Sequence, residues 1–165
     1  MNAFAAQRWP PVAAAALAAF LVGALGAAAT DLSPWYQALA KPSWQPPDWL
    51  FGPAWTLIFS LAAMSGVLGW TRAPNARCRV WMLGLFALNG GLNIFWSALF
   101  FHLQRPDLAL VEVGFLWLSV ALLALHLRSW SRTASLLLLP YLAWVAFAAW
   151  LNMAIVEMNG PFVAQ

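Results

Sequence analysis

Polar and aromatic residues recur at helical spacing within two apolar stretches of this sequence. One set is Asn89, Asn93, Trp96 and Phe100, and the other is Tyr141, Trp144, Ala148 and Asn152. Residues three or four positions apart share one face of a helix. Polar side chains within apolar helices are costly to bury and usually face the interior of a bundle. Together these faces offer indole rings on which a flat aromatic ligand can stack and amides that can orient it.

Two more candidates lie about one turn inside other apolar stretches. Trp55 is followed by Thr56, and Glu112 has no basic residue within its own stretch. Glu112 can serve as a hydrogen-bonding residue in the wall of a site or as a proton donor, and the sequence leaves both roles open. Asparagines in membrane helices also commonly bridge helices, and tryptophans near helix ends commonly form interfacial belts. A ligand site is therefore indicated only if these residues converge in space.

The composition shows which elements must position them. Of 165 residues, 64% are hydrophobic and 8% are charged, whereas soluble domains carry about 25% charged residues. A bilayer-crossing helix needs roughly 20 apolar residues, and the stretches of suitable length are residues 12–29, 50–70, 80–101, 108–127 and 134–156. The predicted fold is an all-α integral membrane protein. It is a single domain, residues 1–165, built as a bundle of five transmembrane helices with a long first loop, 30–49, rich in proline and tryptophan.

The first stretch also resembles part of a secretory signal peptide, because Arg8 precedes it and AAATD ends it. Its apolar run of 18 residues is longer than the about 7–15 residues usual in such peptides. It also carries small residues on one face, which suits close helix packing. They are Ala15, Ala19, Gly23 and Ala27. Both features favour a retained helix.

The distribution of basic residues predicts the orientation. The N-terminal segment and the second and fourth connectors hold Arg8, Arg72, Arg77, Arg79, Arg128 and Arg132, whereas the opposite side holds only Lys41 and Arg105. The positive-inside rule then places the N-terminus in the cytoplasm and the first loop and the C-terminus outside. Inner and outer membranes both remain open. These arginines are read as topology signals, so no nucleic-acid partner is predicted.

With this orientation, the candidate residues converge beneath the first loop. A helix rises about 1.5 Å per residue. The estimated depths below the outer surface are roughly 6–8 Å for Trp55, Glu112 and Asn152, roughly 13 Å for Asn93 and Ala148, and about 20 Å for Trp144. The sequence therefore predicts a ligand pocket in the outer half of the bundle, with the loop as its lid. Lys41 or Arg105 is expected at its mouth.

Conventional enzyme and metal chemistry has no visible apparatus in the sequence. There is no nucleophile–base pair, phosphate loop or two-carboxylate site. His102 and His126 lie at opposite ends of neighbouring helices, so they cannot ligate one haem together. The single cysteine, Cys78, excludes an internal disulfide and a cysteine-based zinc site. We therefore predict no metal and no cofactor.

Three blocks of sequence resemble the translocator protein family, also called the tryptophan-rich sensory protein or peripheral benzodiazepine receptor family. They are KPSWQPPDWLFGPAWT from Lys41, LNGGLNIFWSALFF from Leu88 and PYLAWVAFAAWLN from Pro140. The similarity runs from about Trp35 to Asn152 and includes LALVEV, which contains Glu112. The resemblance implies a five-helix bundle, a homodimer, and a pocket under the first loop. The implied ligands are porphyrins, sterols and synthetic isoquinoline or benzodiazepine-type compounds.

The family's ligand contacts map onto Trp55, Asn93, Trp144 and Ala148. Trp55 and Trp144 match two tryptophans tied in bacterial relatives to light-dependent breakdown of protoporphyrin, so they are the catalytic candidates if this chain degrades porphyrin. The full predicted ligand-binding set is Trp44, Trp49, Trp55, Asn93, Trp96, Glu112, Tyr141, Trp144, Ala148 and Asn152.

One departure from the family concerns sterols. Animal relatives carry a cholesterol-recognition stretch after the final LN, with a Tyr and then an Arg, where this chain has Met153 and Glu157. A loose match to the same pattern, Leu32–Tyr36–Lys41, occurs in the first loop. The resemblance therefore favours a bacterial member that binds tetrapyrroles such as protoporphyrin IX, with a transport or stress-sensing role. Light-dependent porphyrin breakdown and sterol or lipid carriage remain the alternatives.

Overall fold

The structure, a computed structural model, describes residues 9–162 and is built from helices joined by short segments. The helices are α1 (Trp9–Ala29), α2 (Pro34–Ala38), α3 (Asp48–Arg72), α4 (Ala76–Ser97), α5 (Pro106–Arg128), α6 (Arg132–Leu136) and α7 (Leu139–Asn159). A π-helical turn, Ala98–His102, continues α4. No strand occurs in the part of the chain that the structure describes.

Five helical spans are long and apolar enough to cross a membrane. They are Pro10–Ala29, Asp48–Arg72, Ala76–His102, Pro106–Arg128 and Arg132–Asn159. Each contains one of the five predicted stretches, which confirms the all-α membrane bundle. The helices also include polar residues that the apolar stretches had left out, such as Asp48 at the start of α3 and Arg132 at the start of α6.

Three features differ from the prediction for local reasons. The first loop, called the lid segment from here on, spans residues 30–47. It ends at Pro47 rather than at residue 49, because Asp48 begins α3 and its carboxylate suits the positive end of the helix dipole. The lid segment is also not wholly irregular, since Pro34 opens the short helix α2. The fifth span is divided into α6 and α7 just before Pro140, which has no N–H to continue a helical ladder.

Helix α5 lies at the centre of the bundle. Its inward residues recur every three or four positions and are fully or almost fully buried: Ala109, Val113, Leu116, Val120, Leu123 and Leu127. Helix α5 packs against α4, α6 and α7, whereas α1 packs mainly against α3 and α4. No residue of the most apolar window of α1 is buried. Helix α1 is therefore the least enclosed wall of the bundle.

Gly90 sets the distance between α4 and α1. A Cβ atom added at Gly90 would lie 2.9 Å from Cγ2 of Val22, whereas one added at neighbouring Gly91 would meet nothing within 4 Å. Val22 is β-branched and cannot easily rotate away. A side chain at residue 90 would therefore push α1 outward.

We expect Gly90→Ala to destabilise the bundle by about 1–3 kcal/mol through overpacking. Gly91→Ala is the matched control, and its higher helix propensity should leave stability unchanged or slightly raised. Thermal unfolding in detergent measures both variants. Adding Val22→Ala should restore the stability of Gly90→Ala, whereas equal melting temperatures of the two single variants would contradict the close contact.

Candidate ligand-binding site

A cavity of about 910 Å³ lies inside the bundle beneath the lid segment. All five membrane-spanning helices contribute to its wall, together with parts of the segment between α1 and α3. Its volume is at the upper end of the range usual for small-molecule sites. Small residues of α1 form one side of the wall: Ala16, Ala19, Gly23, Gly26 and Ala27. The small-residue face of α1 therefore largely opens space for a ligand instead of packing tightly on a helix.

Trp55 and Trp144 are neighbours in the cavity wall. Their ring centroids are 6.3 Å apart and the planes are nearly perpendicular, at 84°. Trp55 also stacks on Phe59 at 5.1 Å, and Phe51 meets Trp144 edge-to-face at 5.8 Å. Such stacked and edge-to-face contacts hold aromatic rings in defined orientations. The two tryptophans from α3 and α7 thus form one continuous aromatic wall.

Trp96 and Asn93 belong to the part of the cavity wall that α4 forms. Trp96 stacks on Phe100 with centroids 5.2 Å apart. Asn93 is buried, and its Nδ2 donates to the hydroxyl of Tyr141 at 3.4 Å, which links α4 to α7. Its Oδ1 faces α1, where a Cβ added at Gly26 would lie 3.7 Å away. Asn93 therefore brings a polar atom to a largely apolar wall.

Asn152 lines the cavity but is also bound to backbone. With its amide oriented to satisfy both groups, Nδ2 donates to the carbonyl of Pro106 at 3.1 Å and Oδ1 accepts from the N–H of Leu110 at 2.9 Å. These groups belong to the first turn of α5. Asn152 therefore braces α7 against α5. Ala148, one turn earlier on the same face, keeps the wall open beside Trp144.

Six of the ten predicted ligand-binding residues line this cavity: Trp55, Asn93, Trp96, Trp144, Ala148 and Asn152. The other four are placed elsewhere. Trp44 stacks on Trp150 at 4.4 Å, and the side chain of Trp49 is 71% exposed. Tyr141 is buried behind Asn93, and Glu112 is 5% exposed between the helices. The binding role of Trp44, Trp49, Glu112 and Tyr141 therefore has no support from their position at the wall.

A polar cluster where the lid segment meets α3 was missed by sequence reasoning. The hydroxyl of Tyr36 donates to Oδ1 of Asp48 at 3.0 Å, and Nε2 of Gln45 lies 3.3 Å from both of these oxygens. The ammonium of Lys41 lies 3.8 Å from the centroid of the Tyr36 ring. Tyr36 and Lys41 of the loose sterol pattern thus contact each other. The sequence signal that could have indicated this cluster is that polar residues stand both before and after Trp44 in a loop that is otherwise rich in aromatic residues.

The Tyr36–Asp48 bond is maintained across the physiological pH range. Burial, the charge of Asp48 and their hydrogen bond raise the pKa of Tyr36 to about 12. Because the pKa is raised on folding, the stabilising contribution of the protonated phenol is complete below about pH 10 and is lost as the pH rises through about 12. The lid cluster is therefore a fixed link at neutral pH.

A second link joins the lid segment to the end of α7. The side-chain amide of Asn159 accepts from the backbone N–H of Ala40 and donates to its carbonyl, both at 2.8 Å. The same Nδ2 lies 2.9 Å from the carbonyl of Ile155. Since Ala40 precedes the proline–tryptophan stretch, Asn159 holds the lid segment to α7. Asn159 lies outside every helix predicted from the sequence, so helical spacing could not indicate that it contacts the lid segment.

The charges at the mouth differ from the expectation. Lys41 lies on Tyr36, and Arg105 is paired with Asp107, with its Nε donating to Oδ1 at 2.8 Å. Neither basic residue lines the cavity, and Asp48 is the only charged residue of the described chain that does. No group of three metal-ligating side chains occurs within residues 9–162. The cavity wall is therefore largely apolar and offers few polar groups.

Comparisons with known proteins show which family the sequence matches. The model of the TspO/MBR family matches residues 13–158. The tryptophan-rich protein TspO of Chlorobaculum tepidum is 43% identical over 143 residues, which cover 82% of this chain and 89% of that protein. TspO of Archaeoglobus fulgidus is 40% identical, covering 88% and 95%. The translocator protein of Bos taurus is 34% identical, covering 93% of each chain. A family match over most of the length, on five membrane-spanning helices, shows that this multi-pass integral membrane protein belongs to the TspO/MBR family.

Proposed function

We propose that the protein binds a tetrapyrrole such as protoporphyrin IX in the cavity, in a transport or stress-sensing role. The observation that carries the proposal is the cavity of about 910 Å³ lined by Trp55, Trp96 and Trp144. A porphyrin is a wide aromatic plate, and indole faces and edges offer it stacked and edge-to-face contacts. Family membership supports a membrane role in sensing or transport.

The lid segment supports this proposal. It is closed by the Tyr36–Asp48 and Asn159–Ala40 links, and Tyr36 and Gln45 reach the cavity wall. Prolines at residues 42, 46 and 47 restrict the backbone before a ligand arrives. A restricted lid loses less entropy when it closes over a ligand.

A dark titration with protoporphyrin IX, followed by tryptophan quenching, tests the proposal. Saturable quenching that Asn93→Ala weakens several-fold is the expected result, since this variant removes the amide at the wall. Tyr141→Phe is the matched control, because it breaks the same Asn93–Tyr141 bond without changing a cavity-lining side chain. Quenching that does not saturate, or equal losses in both variants, would contradict binding beside Asn93.

Light-dependent breakdown of the bound porphyrin is a second candidate function. It is favoured by the contact of Trp55 with Trp144, which presents two oxidisable indoles to one ligand. We expect Trp55→Phe and Trp144→Phe to abolish light-dependent change of the porphyrin spectrum while largely preserving affinity in the dark. Trp49→Phe is the control, because Trp49 is exposed and lies outside the cavity wall. Unchanged photochemistry in both cavity variants would exclude this mechanism.

The other expectations extend the proposal. Isoquinoline or benzodiazepine-type compounds are proposed to occupy the same cavity, and a homodimer is the proposed assembly. Sterol or lipid carriage is the remaining alternative, and competition between sterol and protoporphyrin IX for one site would favour it.

The basic residues are divided between the two ends of the bundle. Lys41 and Arg105 lie at the lid end, and the other end carries Arg72, Arg77, Arg79, Arg128 and Arg132. We propose that this second end is cytoplasmic and that the lid faces outward.

A further inference from the structure

The neighbouring helices α4 and α5 each carry a buried polar group that has no hydrogen-bond partner among the described residues. One is the indole N–H of Trp96, and the other is the carboxyl group of Glu112, of which both oxygens are unpaired. Buried polar groups without partners are rare because they lose their hydration without compensation. Trp96 has only a donor, whereas a carboxyl group retains an acceptor oxygen in either protonation state. The two unpaired groups are therefore complementary.

The register of α4 and α5 places these groups opposite each other. The two helices pack together and are joined by the short segment 103–105, so they run antiparallel. Asn89 of α4 donates through Nδ2 to Oγ of Ser119 in α5 at 2.8 Å. Seven residues further along α4 is Trp96, and seven residues back along α5 is Glu112. Because seven residues make about two turns, the faces that carry Asn89 and Ser119 also carry Trp96 and Glu112.

Trp96 lines the cavity, whereas Glu112 does not. The ring of Trp96 belongs to the cavity wall, but its Nε1 is buried and is not part of the surface that a ligand would contact. Glu112 does not line the cavity, although Val113 and Leu116 of the same helix do. The N–H therefore points away from the ligand space while the ring faces it. A group that binds this N–H controls the angle of the ring.

We propose that Glu112 is a positioning residue for Trp96, whose indole N–H it accepts after a small rotation of either side chain. Glu112 thereby fixes the inclination of the Trp96 ring against a flat ligand and does not contact the ligand itself. The pairing stands on the helix register alone. Its consequence for binding rests on the proposed function, in which Trp96 contacts protoporphyrin IX.

The pairing is tested without ligand by nuclear magnetic resonance of the ¹⁵N-tryptophan-labelled protein in detergent. The indole signal of Trp96 is the one missing from Trp96→Phe. In Glu112→Met, which keeps the length of the side chain and removes the acceptor, this signal should move upfield. In Glu112→Gln, which restores an acceptor, it should return close to its original position.

Ser119→Ala is the matched control, since it breaks the Asn89–Ser119 pair and should leave the Trp96 signal in place. A signal that is identical in the original chain and in Glu112→Met would overturn the pairing. If Glu112→Met does not fold, Glu112→Leu takes its place.

The consequence for binding is tested by a double-mutant cycle on protoporphyrin IX affinity. Glu112→Met should weaken binding about fivefold in the original chain, the effect expected from one lost hydrogen bond. In the Trp96→Phe background, which has a ring but no N–H, the same change should have less than about a twofold effect. Equal losses in both backgrounds would show that Glu112 acts on the ligand or the fold independently of Trp96. If the original chain binds no protoporphyrin, the proposed function fails, whereas the resonance experiment still decides the pairing.

Discussion

Ala148→Leu is expected to weaken protoporphyrin IX binding at least about tenfold. Ala148 lies on the cavity wall one turn from both Trp144 and Asn152. The larger side chain would extend over the indole face that a flat ligand needs, and the neighbouring rings are already in contact with one another and cannot all move. A loss of about 1.4 kcal/mol or more in binding free energy corresponds to this change. Titration in the dark with protoporphyrin IX measures it.

Ala146→Leu is the control for this variant. Ala146 is exposed on the same helix and does not line the cavity. The substitution adds the same atoms to α7, so any general effect of leucine on the helix is common to both variants. Binding should be unchanged in Ala146→Leu. Equal affinities of the two variants would place the ligand outside the cavity and would favour adsorption to the lipid-facing surface.

Asn152→Ala is expected to lower the free energy of unfolding by about 1–3 kcal/mol. Its amide pairs with the carbonyl of Pro106 and the N–H of Leu110, and its side chain is only 1% exposed. Alanine would leave this turn of α5 without those partners in a place where water cannot readily replace them. The expected result is a lower melting temperature in detergent.

Asn159→Ala gives the sharpest comparison, because Asn159 also pairs one amide with a backbone N–H and a carbonyl, those of Ala40. These bonds are exposed, so water can replace them and the cost should be below about 1 kcal/mol. The consequence expected for Asn159→Ala is faster release of protoporphyrin, since the link between the lid segment and α7 is lost. If Asn152→Ala and Asn159→Ala lowered the free energy of unfolding equally, this would contradict the expectation that the buried bonds of Asn152 cost more to lose than the exposed bonds of Asn159.

Much of the site follows from periodicity. Trp144, Ala148 and Asn152 recur at four-residue spacing, so any helix through them must place them on one face. The depth of each residue follows from the helical rise, because a membrane aligns the ends of the apolar stretches. For this reason six predicted residues, from three different helices, line one cavity.

The depth of a residue in the membrane does not determine the direction in which its side chain points around the helix axis. Glu112 and Asn152 were predicted at similar depths, yet Asn152 lines the cavity and Glu112 does not. The faces of α5 are nearly all apolar, so its sequence does not show which neighbour each face will meet. The rotation is set by packing against α4, α6 and α7, and the hydrogen bond between Asn89 and Ser119, 30 residues apart in the chain, is one contact that fixes it.

The sequence by itself determined the class of protein, the five membrane-spanning helices and the faces that carry the polar and aromatic residues. These depend on apolar length and on a period of about 3.6 residues, which are properties of each segment alone. Only the tertiary structure decided how the lid segment is arranged. Trp44 stacks on Trp150 while Trp49 is exposed, although both lie in the same proline-rich stretch. Such a segment has no period, so its side chains are directed by contacts with α7, which lies more than a hundred residues away in the chain.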